Sequence, residues 1–171
     1  TGGGLELLSF DPAVTPAGVV ANTPGTAGIP AAAGTLIPTT TGVGHVLVVP
    51  YFSTQGEPGR ENFSLLSIVN TDQTNGKAVK LRYRGARNSD DVFDITIYLS
   101  PGDIWTANVS VDAEGYSHLV TADNSCTLPS QKEIKEDSNG RFKTNRVRNS
   151  DKNETREGYI EILNTADIPP A

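Results

Sequence analysis

Four oxygen-bearing side chains close together in the sequence are the strongest candidates for binding chemistry. Asn88, Asp90, Asp91 and Asp94 lie in a polar loop and at the start of the apolar run that follows it. Carboxylate and amide oxygens are the ligands that Ca²⁺ prefers, so a calcium site is one interpretation of this group. Their spacing matches neither an EF-hand nor a repeat calcium loop, and solvated turn carboxylates are the alternative.

Residue types for covalent catalysis are sparse. The chain contains two histidines, His45 and His118, and one cysteine, Cys126, which follows the second histidine by eight residues. A nucleophile needs a base beside it in space, which this spacing does not define, and His118 fits a half-exposed strand residue. The glutamates are scattered, so no pair of carboxylates facing across a cleft can be assigned. We therefore predict no catalytic residues and no enzymatic activity.

Five aromatic side chains could contribute to carbohydrate binding, since sandwich-type modules stack sugars on exposed rings. Trp105 lies between apolar neighbours in a strand-like run, so the alternative is that Trp105 and most of the tyrosines belong to the core. The five candidates are Tyr51, Tyr83, Tyr98, Trp105 and Tyr116.

The single cysteine, Cys126, cannot form a disulfide within the chain. A buried or simply free thiol is one interpretation. The other is a disulfide to another subunit or to a C-terminal stretch beyond the given sequence, because an odd cysteine in a secreted protein can indicate a partner elsewhere.

Composition argues against two classes of partner. With 20 acidic and 14 basic residues the formal charge is -6, whereas phosphate binding needs clustered Lys and Arg, so we expect no nucleic-acid partner. No stretch approaches the roughly 18 to 20 apolar residues of a membrane-crossing helix. Residues 1–4 lack an initiating Met and a secretory leader, so we expect a processed or trimmed chain, and secretion is inferred from composition alone.

Strands must position these side chains, because the apolar residues recur at strand spacing. Gly and Pro together number 28, and turn signals separate the apolar runs, a pattern typical of sandwiches and barrels. We predict an all-β fold, with residues 43–171 forming an antiparallel β-sandwich of the Ig-like or jelly-roll-like kind. The predicted strands are residues 45–52, 62–69, 77–84, 92–99, 104–111, 116–121 and 158–164.

Four segments of the sequence support more specific structural predictions. Residues 45–52 are continuously apolar, which favours a buried strand with a bulge or an end at Pro50. Residues 77–84 alternate between apolar and basic side chains, which predicts one buried and one basic face. Residues 100–103, Ser-Pro-Gly-Asp, predict a turn. The densely charged residues from about 130 to 157 predict a solvated loop or a disordered insertion.

Two short segments of the sequence resemble each other. Residues 68–72 read Ile-Val-Asn-Thr-Asp, and residues 162–167 read Ile-Leu-Asn-Thr-Ala-Asp. Chance among strand-plus-turn segments is one explanation. The other is that two equivalent strands end in the same Asx-type turn, in which Asn caps its own backbone.

Residues 1–42 differ in composition from the rest of the chain. They contain five prolines at spacings of four to eight residues, two acidic residues and no Lys or Arg. Such prolines exclude a helix and predict an extended N-terminal arm. Its apolar runs could be strands that complete another sheet, whereas a flexible leader is the alternative. The predicted subunit contacts are Leu5, Leu7, Leu8, Val19 and Val20.

Four short segments, in the same order along the chain, resemble a family of secreted cell-surface proteins of Gram-negative bacteria. These segments are residues 49–54, 66–71, 77–84 and 88–107. The last contains, at 99–105, the Leu-Ser-Pro-x-Asp-x-Trp segment that marks the family, and the resemblance extends over about residues 46–168. It implies export, a β-rich fold and a surface role, and it supplies no catalytic residues. Such proteins continue past residues 168–170, which would allow Cys126 a partner beyond the given sequence.

An extended apolar arm beside an otherwise complete sandwich favours donor-strand pairing, in which a peptide from one subunit fills a sheet edge of the next. Such head-to-tail contacts do not close on themselves, so filaments or surface layers would result. We expect a secreted structural subunit whose partners are copies of itself. The alternative is a monomeric cell-surface binding module with carbohydrate as its ligand.

Overall fold

The computed structural model describes residues 43–136 and 140–170, and these form two β-sheets packed face to face. The predicted all-β sandwich is therefore confirmed. The predicted arm and its contact residues Leu5, Leu7, Leu8, Val19 and Val20 lie outside the described residues. The elements are β1 (Val46–Ser53), β2 (Ser64–Val69), β3 (Gly76–Gly85), β4 (Asp91–Leu99), β5 (Ile104–Val111), β6 (Ser117–Val120), β7 (Cys126–Leu128), α1 (Gln131–Glu136) and β8 (Glu157–Ile168).

The two sheets differ in width. Sheet A has the strand order β1-β8-β3-β4-β7, and sheet B has the order β2-β5-β6. Every neighbouring pair of strands is antiparallel. All seven predicted strands are present, and β7 is an additional one of three residues, too short to leave a periodic pattern in the sequence.

The central strand β3 has the two faces that its alternation predicts. Val79, Leu81 and Tyr83 are buried in the core. The intervening Lys80, Arg82 and Arg84 lie on the outer face of sheet A, where neighbouring strands supply carboxylates. Lys80 Nζ and Arg82 Nε both lie 3.3 Å from Asp94 Oδ1, and Arg84 Nε lies 3.1 Å from Glu161 Oε2.

Aromatic rings occupy much of the space between the sheets. Trp105 and Tyr83 are fully buried. Phe52 meets Tyr83 edge to face with ring centroids 5.1 Å apart, and Phe93 stacks on Phe142 at 5.2 Å. Such pairs add to the free energy of burying their apolar area. The prediction that Trp105 belongs to the core is confirmed, whereas its extension to most of the candidate tyrosines is wrong, since Tyr83 alone of those four is buried.

The prediction that residues 45–52 form a buried strand is wrong. β1 lies at one edge of sheet A, its first four residues are half-buried, and Pro50 and Tyr51 are exposed. A continuous apolar run shows that both faces are apolar, but not that a neighbour covers them. The pairing of β1 with β8 shifts register between Val49 and Phe52, so the bulge predicted at Pro50 is confirmed.

The described part of the charged segment from about 130 to 157 contains short helices, so it is not the disordered insertion that is one of its two predicted forms. Most of its side chains are exposed or half-buried, as in the other predicted form, a solvated loop. The described part begins with α1, where Ser130 and Glu133 form a capping box. Ser130 N donates to Glu133 Oε2 at 2.8 Å, and Glu133 N donates to Ser130 Oγ at 3.3 Å. Three short 3-10 helices follow at Thr144–Arg146, Arg148–Ser150 and Lys152–Thr155.

Three apolar side chains hold this segment against the sandwich. Ile134, Phe142 and Val147 are all buried in the core. Phe142 N also donates to the Ser117 carbonyl at 2.9 Å, so the chain near Phe142 follows strand β6. Composition alone misses this arrangement because three anchoring residues barely change the mean polarity of a highly charged stretch.

The turn predicted at residues 100–103 is confirmed. Asp103 N donates to the Ser100 carbonyl at 3.2 Å, and Gly102 has a φ of 70°. Pro101 fixes its own φ near the value that the first central position of such a turn requires, and glycine accepts the positive φ of the second. This turn leads directly into β5 and its buried Trp105.

Candidate binding cleft

One side of the sandwich is open. A cleft with a volume of about 630 Å³ lies between sheet A and strand β2. Leu47, Val79 and Ile162 of sheet A line it on one side, and Ile68 of sheet B lines it on the other. This volume falls in the range of about 300 to 1,000 Å³ that is typical of ligand-binding clefts.

The cleft is open because sheet B, with three strands, is too narrow to cover the five strands of sheet A. β1 and β2 are the edge strands on this side, and the hydrogen bonds found between them in the described part of the chain lie at one end. There Ser53 N donates to Ser64 Oγ at 3.1 Å and Ser64 Oγ donates to the Ser53 carbonyl at 3.1 Å. Toward the start of β1 the two strands separate, and the cleft lies between them. On the opposite side, α1 packs against β6 and β7 and inserts the buried Ile134.

An ion-paired cluster forms the charged part of the cleft lining. Lys77 Nζ lies 2.8 Å from Asp72 Oδ2 and 2.8 Å from Asp167 Oδ1, and Asn164 Nδ2 donates to the same Asp167 oxygen at 3.0 Å. All four residues line the cleft. Lys77 thus links the turn after β2 to the end of β8.

Hydrogen bonding keeps the groups of this cluster charged. The bonds from Lys77 and Asn75 hold the pKa of Asp72 well below its usual range. Burial raises the pKa of Asp167, but hydrogen bonds from Asn164 and Lys77 outweigh it and the net pKa is lowered. Burial lowers the pKa of Lys77, and its two carboxylate partners outweigh that effect and raise it. All three groups therefore remain ionised at neutral pH.

The two similar segments meet at this cluster. Asn70 Oδ1 accepts from Asp72 N at 3.1 Å, so β2 does end in the predicted Asx turn. β8 instead continues past Asn164 to Ile168, because its pairing with β3 extends to the end of the strand, so the predicted equivalence is wrong. The repeated Asp was nevertheless a usable signal, since Asp72 and Asp167 are the two carboxylates that converge on Lys77.

Strand β2 presents a free edge beside the cleft. Asn70 N donates to the Asp103 carbonyl at 2.9 Å, and Val69 pairs with Ile104. Hydrogen-bonded and non-hydrogen-bonded pairs alternate in an antiparallel ladder. The N–H groups of Leu65, Ser67 and Val69 therefore point away from β5, toward the side on which no described strand lies.

The edge of β2 lacks the features that normally prevent strand addition. Its sequence, Ser-Leu-Leu-Ser-Ile-Val, has no charge and no proline, and its pairing with β5 contains no bulge. The Leu65 side chain is 74% exposed. Edge strands without charges, prolines or bulges are templates for pairing with another chain.

The other described edges are short or protected. β1 carries Pro50 and a bulge, and β7 has only three residues. Beside β6, Leu119 N donates to the Gly140 carbonyl at 2.8 Å, so the following segment already occupies that edge. Among the strands that the structure describes, β2 is thus the longest edge without protection.

The outer faces of the two sheets have opposite character. Sheet A carries the basic residues of β3 and their carboxylate partners. The strands of sheet B contain no Asp, Glu, Lys or Arg, and Leu65, Val69, Ile104 and Val120 are exposed on its outer face. An added strand at β2 would therefore meet the cleft on one face and an uncharged surface on the other.

The predicted calcium ligands are only partly brought together. Asp91 and Asp94 lie side by side, and burial together with a hydrogen bond to Asp94 raises the pKa of Asp91. Arg146 Nη1 lies 3.2 Å from Asp91 Oδ2, while Asn88 is exposed in the preceding turn near Asp90. Within residues 43–136 and 140–170, no three His, Cys, Asp or Glu side chains are arranged to hold a metal ion. Bound Ca²⁺ stays a prediction.

The candidate aromatic residues are dispersed. Trp105 and Tyr83 are buried, and Tyr116 lies beneath the Arg141 guanidinium and the Lys152 ammonium, 5.0 and 5.3 Å from its centroid. Tyr51 on β1 and Tyr98 on β4 are exposed. No Trp, Tyr or Phe of the described residues lines the cleft.

The histidine and cysteine candidates lie in different sheets. His118 is half-buried on β6 in sheet B, as predicted. Cys126 is exposed on β7 in sheet A and forms no disulfide among the described residues, so a buried thiol is wrong. Its disulfide to another chain or to a missing segment stays a prediction.

Comparisons with protein-family models, curated proteins and solved structures find no match to this chain. The resemblance to secreted surface proteins of Gram-negative bacteria therefore stays a hypothesis. In the described part of the chain, no helix has the length and apolar character needed to cross a membrane. Inference about function thus rests on the open cleft and the free edge of β2.

Proposed function

We propose that this protein is an extracellular structural subunit that self-assembles when the N-terminal arm of one copy fills the open cleft of the next. The observation that carries the proposal is the cleft between the sheets, which Leu47, Val79 and Ile162 line, beside the unprotected edge of β2. A peptide entering it would gain main-chain hydrogen bonds from the edge strand and would bury alternate side chains between the sheets.

The character of the arm supports this occupant. Residues 1–42 contain apolar runs, no basic residue and too few large apolar side chains to form a core of their own. The arm joins the sandwich at Val43, which itself lines the cleft. The chain therefore contains both a cleft that could accept a strand and an N-terminal segment with apolar runs.

The geometry of such a contact determines the product. Arm and cleft are different surfaces of the same chain, so each copy donates to one neighbour and accepts from another. A contact of this head-to-tail kind gives a ring if the rotation closes and an open filament if it does not. We propose a filament or a surface layer with copies of the same chain as partners.

Light scattering and negative-stain microscopy on the full chain and on residues 43–171 test the proposal. We expect concentration-dependent polymers from the full chain and a monomer from the shorter chain. The near-ultraviolet signal of the buried Trp105 serves as the control that the shorter chain is folded. Two folded, monomeric samples would contradict assembly through the arm.

The alternative is a monomeric cell-surface module that binds carbohydrate. The exposed rings of Tyr51 and Tyr98 are its support, since sugars stack on such rings. Its weakness is that these rings lie on strands β1 and β4, away from the aromatic-free cleft. Under this alternative the shorter chain would retain full ligand binding on a glycan array.

A further inference from the structure

We propose that residues 5–10 of a second copy bind along β2 as a fourth strand of sheet B, with Leu5 and Leu7 in the cleft. This inference rests on the proposed assembly and specifies the edge, the donor segment and the facing of its side chains. The sequence of the donor is Leu-Glu-Leu-Leu-Ser-Phe.

The edge is assigned by the free N–H groups. Leu65, Ser67 and Val69 direct theirs away from β5, and an added strand is the partner that would satisfy them all at once. β1 is the other edge at the cleft, but Pro50 has no N–H and the bulge interrupts its pairing. An incoming strand therefore finds a continuous ladder only at β2.

The donor segment is assigned by length and pattern. β2 has six residues, and residues 5–10 are a run of six without proline. The other apolar run of the arm, residues 18–21, has four and lies between Pro16 and Pro24. Each paired residue adds main-chain hydrogen bonds, so the longer run gains more from the same edge.

The single charged residue of the donor segment, Glu6, determines which of its side chains point into the cleft. Side chains alternate between the two faces of a strand, so Leu5 and Leu7 share one face while Glu6, Leu8 and Phe10 share the other. In the cleft Glu6 would meet Asp72 and Asp167, which already share Lys77, so its carboxylate would be buried against like charges. This cost directs Leu5 and Leu7 inward.

The opposite face of the donor also finds a matching surface. Leu8 and Phe10 would extend the exposed apolar patch that includes Leu65 and Val69 on the outer face of sheet B. Glu6 would face solvent beside strands that contain no acidic residue, so no like charge opposes it.

The spacer between donor and fold is long enough for a second copy to be the acceptor. Residues 11–42 number 32 and include all five prolines of the arm. A chain of this length reaches up to about 100 Å at about 3.1 Å per residue. Strand β2 is only about 20 Å long, so this reach lets residues 5–10 extend past their own sandwich to the β2 edge of a second copy.

Cross-linking between two variants of the full chain tests the register face by face. In a Cys126→Ser background, one copy carries Ser67→Cys on the outer side of β2 and the other carries Leu8→Cys. The copies are mixed as dilute monomers, concentrated, and treated with a short bifunctional thiol reagent. We expect a cross-linked dimer of one copy of each kind.

Three matched controls have defined outcomes. Leu7→Cys faces the cleft and should lose the link to Ser67→Cys, because the two thiols lie on opposite faces. Val20→Cys tests the other apolar run, and Val48→Cys, between the core-facing Leu47 and Val49, tests the edge of β1. The link from Leu8→Cys to Val48→Cys should likewise be absent.

The outcomes separate this inference from the proposed function. Polymers that cross-link through Val48→Cys or Val20→Cys instead would overturn the assigned edge or segment and leave arm-mediated assembly standing. A chain carrying both Ser67→Cys and Leu8→Cys that links only to itself would overturn the second copy as donor. Monomers by light scattering at every concentration, without any link, would overturn both proposals.

Discussion

At the residue scale, the Tyr83 hydroxyl is buried and has no hydrogen-bond partner among the described residues. Burial raises its pKa, so the group is neutral. A buried hydroxyl without a partner has lost its hydrogen bonds to water and has gained none within the protein to compensate. We expect Tyr83→Phe to unfold in urea with a stability equal to or above that of the unsubstituted chain.

The matched control at the same position is Tyr83→Ala, which removes the ring from its contacts with Phe52 and Phe93. A large aromatic-to-alanine change in a core costs about 3–5 kcal/mol. If Tyr83→Phe instead lost stability by an amount typical of a broken buried hydrogen bond, the hydroxyl would have a partner.

The Lys77 cluster predicts a pH dependence. The pKa values of Asp72 and Asp167 are lowered in the folded protein, so their stabilising contribution is present above the unfolded pKa of about 3.9. It is lost as the pH falls through the lower folded values. Lys77→Met should therefore destabilise the protein most at neutral pH. Its deficit in the free energy of unfolding, relative to the unsubstituted chain, should shrink below about pH 4.

Denaturant unfolding at a series of pH values measures this deficit. Lys80→Met is the matched control, because Lys80 Nζ lies 3.3 Å from the single carboxylate Asp94 on the outer face. Ion pairs near the surface contribute little, so we expect a smaller effect from the control. A Lys77→Met deficit that is constant from pH 7 to pH 2.5 would contradict the ion-pair account.

At the element scale, the segment between α1 and β8 is part of the core. Phe142 contacts Phe52, Tyr83 and Phe93 through its ring. We expect Phe142→Ala to destabilise the protein by about 3–5 kcal/mol, as core aromatic truncations do. Lys143→Ala, at the exposed neighbouring position, should change the free energy of unfolding by less than about 0.5 kcal/mol.

Thermal unfolding followed by far-ultraviolet circular dichroism distinguishes the two interpretations of this segment. A solvated loop would tolerate both substitutions equally. Equal midpoints for Phe142→Ala and Lys143→Ala would therefore contradict the packing described for residues 140–156.

Strand identity could be predicted from the sequence wherever side chains alternate. β3 shows this best, since its basic and apolar residues face where the pattern places them. The positions of β1 and β2 at sheet edges could not be predicted. The apolar residues of a strand show that it belongs to a sheet, but they do not show whether another strand pairs with each of its edges. The sheet order that leaves β1 and β2 at one side depends on long-range pairing, which a local pattern does not contain.

The same limit applies to the candidate site. The charged residues of the cleft, Asp72, Lys77 and Asp167, are separated in the sequence by up to 95 positions and meet only because β3 pairs with β8. The arm stays a prediction from composition, which its prolines and missing basic residues carry without tertiary information. The cleft could not be predicted in this way, because it is a gap between sheets.

At the scale of the whole molecule, we propose that one chain combines an acceptor cleft and a donor arm. Two variants that each lack one part isolate the contact. The chain of residues 43–171 has the cleft and no arm, and the full chain with Ser67→Pro has the arm and a blocked edge. Proline is tolerated at Ser67 in principle, because the lost N–H points away from β5.

Light scattering on these two variants, alone and mixed, is the measurement that tests the central claim most directly. We predict that each is monomeric alone and that the mixture forms a complex of one copy of each that does not grow further. The full chain with Ser67→Ala, which keeps the N–H, should polymerise as the unsubstituted chain does. A mixture that stays monomeric beside a polymerising Ser67→Ala chain would contradict the account.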